Sequence, residues 1–284
     1  MRVLRKREKR LLVYLAIIIV VLFCDYIYRR RTVTVTKETE HYIIFSSATA
    51  EQTNEIADIA EITYDGYLEF IKQLNLSVQP HPRLKMKLFK DRKEFRRCNR
   101  RVGWAEAFYR YPYCCQYYSS EEVNPYHWMM HEATHQLNSE VAHLSLPKWL
   151  DEGFACYIAT SRVVGKSLHL GEIDVDTYPV WWLGDIAIAG DFDKDKENLS
   201  IIPLRAIISD QGDPGMNKYF NLYYLHWWSL AHFLLHYEQG KYITGLNLLI
   251  ADGGKISSFE KNIGEIEIIE RQWYEYVNEL KRKY

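Results

Sequence analysis

The chain has 284 residues, and its 36 Lys and Arg nearly balance its 37 Asp and Glu, which gives a formal net charge of −1. A charge so close to zero provides no bulk electrostatic attraction to nucleic acid, so we exclude nucleic acid as a partner. The length suits one large domain or two joined lobes, and an aromatic content of 14% indicates a well-filled core.

The N-terminal segment combines basic residues with an apolar run. Residues 1–10 are rich in Arg and Lys, Leu11 to Cys24 is almost wholly apolar, and three arginines follow at 29–31. No small-x-small cleavage site follows the run, so it favours an uncleaved transmembrane signal anchor over 11–28. The stronger basic flank before the run predicts a cytoplasmic tail over 1–10 and places the rest of the chain outside the cytoplasm, in the periplasm or the extracellular space.

The segment from 29 to 118 contains the next predicted elements. Residues 29–39 are expected to form a stalk, although the alternation of Thr, Val and charge over 32–39 also fits a first strand. Period-two and helical patterns then predict a strand at 41–47, a helix at 50–74, a strand at 83–89, a short helix capped by Asp91, and a strand or hairpin within 104–118.

The most informative motif is His131-Glu132-Ala133-Thr134-His135, which follows Asn124-Pro125 as an expected helix start. Residues four apart on a helix are separated by about 400° of rotation and about 6 Å of rise, so both imidazoles project toward one ion. Glu132 falls about 100° round from His131. That position puts a carboxylate beside the metal rather than on it, where a general base for hydrolysis is needed.

A second helix is predicted to be opened by Pro147 and to carry Trp149-Leu150-Asp151-Glu152-Gly153-Phe154-Ala155. A hydrolytic zinc site needs three protein ligands and one open position. Glu152 can supply the third ligand.

Together these two motifs resemble the gluzincin zinc metallopeptidases, and most closely the peptidase-MA-like proteins with HEATHQ followed by LPxWLxEGxA. The resemblance implies an α+β fold of the thermolysin type, with a zinc peptidase-like domain over 40–284. Its N-terminal lobe, mixed α/β with a small sheet, would cover about 40–140, and its helical C-terminal lobe about 141–284. The resemblance also implies Zn²⁺ as cofactor, His131, His135 and Glu152 as metal ligands, and Glu132 as general base.

Two residues compete with Glu152 as third ligand. His127 forms a row with His131 and His135, but it would lie about 12 Å from His135 along the helix. The three histidines therefore cannot all reach one ion. We interpret it as a first-turn or pocket-rim residue. Asp151 points about 100° away from Glu152, and the family pattern places the ligand immediately before the glycine. Asp151 is then a group that supports a ligand or caps the helix.

The C-terminal part is predicted to be mainly helical. Loops and a solvated acidic run (191–197) come first, then a short helix at 201–208, a long helix at 221–237, and two more helices at 256–264 and 268–284. The long helix is similar to the family's tyrosine helix, which implies that Tyr224 stabilises the oxyanion, with Tyr223 as the adjacent alternative.

Two further positions leave alternatives open. Glu106, in Gly103-Trp104-Ala105-Glu106-Ala107, lies where gluzincin aminopeptidases carry GxMEN, but Ala replaces both Met and Asn. Cys156 shares the face of Glu152 and is either near the metal or simply packed in the core. An extracytoplasmic location would permit at most one disulfide among Cys98, Cys114 and Cys115.

The resulting expectation is a membrane-anchored zinc metallopeptidase that hydrolyses a peptide or protein substrate and contacts the membrane through its N-terminal helix. An aminopeptidase of the same clan and a non-catalytic peptide-binding or partner-binding protein on the same scaffold are the alternatives.

Overall fold

A computed structural model describes residues 6–30, 35–102, 105–209 and 214–284. These residues form a mixed α+β structure with one five-stranded sheet, one two-stranded hairpin and many helices, which confirms the predicted α+β class. Gly103 and Trp104, part of the predicted hairpin and of the Glu106 motif, lie outside the described residues.

The strands and helices are numbered in chain order. The strands are β1 (Val35–Glu38), β2 (Tyr42–Ser46), β3 (Leu84–Phe89), β4 (Ala107–Arg110), β5 (Tyr113–Tyr117), β6 (Ser161–Val164) and β7 (Ser167–Ile173). The α-helices are α1 (Lys6–Arg30), α2 (Ala50–Gln73), α3 (Arg92–Cys98), α4 (His127–Glu140), α5 (Lys148–Ala159), α6 (Phe192–Glu197), α7 (Leu204–Ser209), α8 (Phe220–His236), α9 (Ile243–Ala251), α10 (Ile256–Asn262) and α11 (Ile266–Lys283). Short 3₁₀ helices occupy Val180–Trp182 and Tyr237–Gln239.

The main sheet has the strand order β1-β2-β3-β5-β4. Strands β2, β3 and β5 run parallel, and the outer strands β1 and β4 pair antiparallel with β2 and β5. Helix α2 makes the crossover from β2 to β3; its N-terminus carries a capping box between Thr49 and Gln52. Because β4 is the last strand in this order, it forms one edge of the sheet.

Burial alternates along the strands because successive side chains point to opposite faces. In β3, Leu84, Met86 and Leu88 are buried in the large core that also contains residues of α2 and α4. The opposite face is covered in part by α3, where Phe95 packs against Phe89. One continuous core contains residues of the sheet, α4, α5 and α8.

The predicted membrane anchor is wrong. Among the described residues, no helix combines the length and the apolar character that a membrane span requires. This finding overturns the anchor over 11–28 and, with it, the single-pass topology that placed the domain outside the cytoplasm. As a helix, the apolar run Leu11–Cys24 rises about 21 Å, which is shorter than the roughly 30 Å hydrocarbon core of a bilayer.

Several local predictions are corrected by the structure. The helix that carries the histidines begins at His127, not at Pro125, and Asn124 instead accepts a hydrogen bond from the Tyr126 N–H in the preceding turn. The acidic run is not a loop, since Asp191 caps α6. Of the two alternatives for 32–39, a strand is present over Val35–Glu38, and 31–34 lie outside the described residues.

Candidate metal centre

The candidate metal centre lies between two packed helices. Helix α4 contributes His131 and His135, and α5 contributes Glu152. One ligand atom from each of the three residues lies within 4.8 Å of the others, and this is the one such cluster of three or more His, Cys, Asp or Glu in the part of the chain that the structure describes. The structure thus brings together the three residues that the family resemblance implies as ligands.

The separations of the three atoms fit a metal ion. His131 Nε2 lies 3.2 Å from His135 Nε2 and 3.3 Å from Glu152 Oε2, and the third separation is 3.7 Å. The nearest point equidistant from all three is therefore about 2.0 Å from each, and points slightly out of their plane reach the Zn–N and Zn–O distances of about 2.0–2.2 Å. Glu152 Oε2 is also buried without a hydrogen-bond partner. A bound cation would give Glu152 Oε2 a partner. It would also explain why the Nε2 atoms of His131 and His135 face each other.

The electrostatic environment favours positive charge at this point. Burial works against protonation of His135, but Asp151 and Glu152 outweigh it and hold the pKa of His135 well above its usual value. Burial likewise opposes ionisation of Glu152, yet the two imidazoles keep its pKa well below the usual range. The groups that stabilise an extra proton on His135 would also stabilise a metal cation.

Asp151 supports His135 rather than acting as a ligand. His135 Nδ1 donates to Asp151 Oδ2 at 2.8 Å, and Asn138 Nδ2 donates to Asp151 Oδ1 at 2.8 Å. The buried Tyr67 hydroxyl in turn donates to Asn138 Oδ1 at 2.8 Å. This relay fixes the ring of His135 with Nε2 toward the centre, a role that carboxylates often take beside metal-bound histidines.

Cys156 lies next to the other histidine. Its Sγ is 3.8 Å from His131 Nδ1, within reach of a weak hydrogen bond to sulfur, and the side chain is fully buried. Burial, with Glu152 nearby, raises the pKa of the thiol well above its usual value. Cys156 is therefore a neutral partner of His131 behind the site. Cys114 and Cys115 are free thiols, so neither forms the disulfide considered with Cys98.

Glu132 stands beside the cluster and not in it. The backbone N–H of Tyr109 on β4 donates to Glu132 Oε2 at 2.6 Å. Glu132 lines the same cavity as His131, His135 and Glu152. The sheet edge thus holds the carboxylate in place next to the candidate metal position, as the helical offset predicts.

The two tyrosines of α8 differ in what their hydroxyls do. Tyr223 is buried and donates to the carbonyl of Pro214 at 2.7 Å. Tyr224 lines the cavity, its ring lies 6.3 Å from the ring of His131, and its hydroxyl makes no hydrogen bond to a described residue. Burial and the charge of Glu152 raise the pKa of Tyr224 far above its usual value, so its hydroxyl stays protonated and can donate. Of the two tyrosines, Tyr224 is the better candidate for the oxyanion donor.

Gly153 explains how α8 comes so close to the centre. A Cβ at this position would lie 2.8 Å from the backbone oxygen of Trp227 and 3.2 Å from Cβ of Ala231, both on α8. Helices α5 and α8 can therefore approach at this level only if the residue after Glu152 has no side chain. The glycine of the motif positions the tyrosine helix.

His127 takes no part in the cluster. Its Nδ1 hydrogen-bonds to the carbonyl of Asn124 at 2.8 Å, and its ring packs against Trp128. Burial lowers its pKa, which favours a neutral ring. His127 is a buried residue at the start of α4, as expected for a first-turn residue that is not a ligand.

Glu106 is engaged by neighbours at the rim of the cavity. Its Oε1 pairs with Arg92, with Arg96 also 3.6 Å away, and its Oε2 accepts a hydrogen bond from the Tyr117 hydroxyl. Both carboxylate oxygens are thus occupied. A carboxylate so engaged is poorly placed to bind the free amine of a substrate.

The residues that sequence reasoning missed are mainly aromatic. Trp128, Tyr178 and Phe220 line a cavity of about 410 Å³ next to the centre. No periodic signal marks them as cavity residues, since they come from separate segments that meet only in the fold. The hairpin β6–β7 was missed as well, although Gly165, with φ of 63°, sits at its turn between two apolar stretches.

No protein-family model matches the sequence, and no curated protein matches it either. The assignment of this site therefore depends on the residues and their geometry.

Proposed function

We propose that the protein is a zinc-dependent metallopeptidase that hydrolyses peptide bonds, with a catalytic domain of the gluzincin, thermolysin-like type. The observation that carries the proposal is the position equidistant from His131 Nε2, His135 Nε2 and Glu152 Oε2, with a fixed carboxylate beside it. Two His and one Glu are the donor set of many hydrolytic zinc sites. The order of elements, a sheet followed by the α4 and α5 helices and a helical C-terminal part, supports the same fold type.

Zinc, when bound, lowers the pKa of water and polarises a carbonyl oxygen. His131, His135 and Glu152 would hold it. Glu132 would accept the proton of the attacking water and pass it to the leaving amine. Because the Tyr109 N–H bonds Glu132 Oε2, the carboxylate is fixed in orientation while the other oxygen is available for this transfer.

Tyr224 would donate a hydrogen bond to the oxyanion that develops on the substrate carbonyl. Its high pKa keeps the proton on the hydroxyl through the working pH range. A rigid aromatic ring on α8, packed against Trp227 at 5.0 Å, costs little reorganisation during the reaction.

Strand β4 is suited to bind an extended peptide. It is an edge of the main sheet, and Ala107, Phe108 and Tyr109 line the cavity at the centre. An extended substrate can add to such an edge through backbone hydrogen bonds. This arrangement supports a peptide or a protein segment as the substrate class.

The direct test measures zinc content and hydrolysis together. We expect the purified protein to hold about one zinc per chain and to cleave unstructured polypeptide. Glu132→Gln should keep the zinc and lose hydrolysis by about 10²–10⁴-fold. Glu69→Gln, an exposed carboxylate on α2, is the matched control and should change neither quantity.

The outcomes separate the alternatives. Failure to bind zinc after careful loading contradicts the ligand assignment. Zinc binding with peptide binding but no cleavage would instead favour a non-catalytic peptide-binding protein. The aminopeptidase alternative is disfavoured because Arg92, Arg96 and Tyr117 already engage Glu106.

A further inference from the structure

Two cavities of different character meet at the candidate centre. The first, here the aromatic cavity, has a volume of about 410 Å³ and is lined by Phe108, Trp128, Tyr178, Phe220 and Tyr224. The second, here the polar cavity, has a volume of about 430 Å³ and is lined by Asn138, Ser139, Leu144, Ser145, Leu146 and Asp151. Both are also lined by Tyr109, Glu132 and His135. A substrate bound across these three shared residues would extend into both cavities.

The wall of the aromatic cavity is continuous. The rings of Trp128 and Tyr178 are 5.2 Å apart, Tyr178 and Tyr224 are 5.5 Å apart, and Tyr224 and Phe220 are 4.7 Å apart. These separations are typical of packed aromatic pairs. Ring faces and edges in a pocket of this size form an environment that favours a large planar apolar group.

The described residues that line the aromatic cavity include few charged side chains. Among them, Glu106 is the one carboxylate besides the candidate ligand Glu152 and the candidate base Glu132. Its charge is compensated by Arg92 and Arg96. Ala105 and Ala107 also line this cavity, and their small side chains occupy little of its volume.

The polar cavity offers a different surface. Ser139 and Ser145 are exposed at its wall, and the carboxylate of Asp151 is bonded to His135 and Asn138. Among the described residues that line it, Leu144 and Leu146 are the two aliphatic side chains, and Tyr109 is shared with the aromatic cavity. This side gives little gain from burying a large apolar group and suits a small or polar side chain.

We propose that the site selects peptides with an aromatic residue on one side of the cleaved bond and a small or polar residue on the other. The juxtaposition of the aromatic cavity and the polar cavity at Glu132 and His135 carries this proposal. It rests on the proposed peptide hydrolysis for the position of the cleaved bond. The aromatic side chain would lie against Tyr178 and Phe220.

The test combines a cleavage profile with a binding measurement on the full-length zinc-loaded protein. A mixture of end-blocked peptides with varied residues on both sides of a central bond is digested, and the cleavage sites are identified by mass spectrometry. We expect Phe, Tyr or Trp to be preferred over Ala by at least about tenfold at one flanking position, which is the scale of burying a large apolar side chain. The other flanking position should show no preference for large apolar residues.

Binding is measured separately so that the result does not depend on turnover. Zinc-loaded Glu132→Gln is titrated with fluorescent peptides that differ only by Phe or Ala at the preferred position, and the Phe peptide should bind at least about tenfold more tightly. Phe220→Ala should reduce that ratio severalfold. Trp182→Ala is the matched control because Trp182 is also 40% exposed but does not line the cavity; it should leave the ratio unchanged.

Each outcome decides a different point. Equal treatment of Phe and Ala peptides, in cleavage and in binding, overturns the selectivity while leaving hydrolysis intact. Preferential binding of aromatic peptides without any cleavage by the wild-type protein rejects the proposed hydrolysis but supports the aromatic cavity as a binding site. Absence of both binding and cleavage refutes both proposals.

Discussion

Replacing Asp151 by Asn tests whether the relay behind His135 determines metal affinity. In the wild-type structure every member has a matched partner: His135 donates to Asp151, Asn138 donates to Asp151, and Tyr67 donates to Asn138. In Asp151→Asn, the amide oxygen can still accept from His135 Nδ1. Its amide nitrogen then faces the amide nitrogen of Asn138, so two donors meet.

The relay cannot relax easily. If Asn138 flipped its amide to remove this clash, its NH₂ group would face the Tyr67 hydroxyl and it would lose the bond it now accepts. The substitution also removes a negative charge 2.8 Å from His135 Nδ1. Loss of a supporting group of this kind weakens metal binding by about 10–100-fold, or about 1.4–2.7 kcal/mol.

The assay is zinc competition against a chromophoric chelator at neutral pH, with circular dichroism as a check on folding. The matched control is the double substitution Asp151→Asn with Asn138→Asp. The exchange restores the pattern of donors and acceptors, because the new carboxylate accepts from both Tyr67 and the new amide. It should recover part of the lost affinity, and the remaining deficit measures the displaced charge. Unchanged zinc affinity in the single variant would refute the role of the relay.

Four further predictions concern other parts of the molecule. Tyr224→Phe should lower kcat by about 10²–10³-fold with zinc content unchanged, and an equal loss of zinc would contradict the role of Tyr224. N-acetylation of a substrate should leave the cleavage rate unaffected. A strong preference for the free amine would instead restore the aminopeptidase alternative. Gly153→Ala should destabilise the fold by about 1–3 kcal/mol through the contact with Trp227, measured by urea unfolding. Burial lowers the pKa of His226 to about 3. Because the unfolded chain therefore binds more protons in acid, the contribution of His226 to the free energy of unfolding is fully present only above about pH 6.5. This contribution falls by about 2 kcal/mol between pH 7 and pH 5. His226→Gln should show a smaller loss, and an identical pH profile would reject this cause.

The proximity of the two histidines could be predicted from the sequence because it depends mostly on local geometry. The spacing of His131 and His135 on one helix fixes their common direction whatever the rest of the chain does. Glu152 needed the additional family pattern, since spacing alone does not say how α4 and α5 pack. Strands and helices with strong periodicity, such as α2, were predicted nearly to the residue.

Long-range and marginal features could not be predicted in the same way. The placement of Phe220 and Tyr178 in one cavity depends on how distant segments pack, which no local pattern encodes. The start of α4 was misplaced because Asn124 uses its side chain in a turn before the helix, a bond that competes with capping. The anchor was predicted from a short apolar run whose length is below that of a bilayer core.

The requirement for glycine at 153 links the separate parts of the site. Glu152 must point to the histidines, while the next position on α5 must let α8 pass close enough to bring Tyr224 within 6.3 Å, ring to ring, of His131. Successive residues of a helix point about 100° apart. Glu152 therefore lies on the face of α5 that contacts α4, and the adjacent Gly153 lies on the face that contacts α8. The short block Glu152-Gly153 thus sets both the position of the proposed metal ligand and the distance of the proposed oxyanion donor. On this account, a substitution that enlarges residue 153 should impair hydrolysis more than zinc binding.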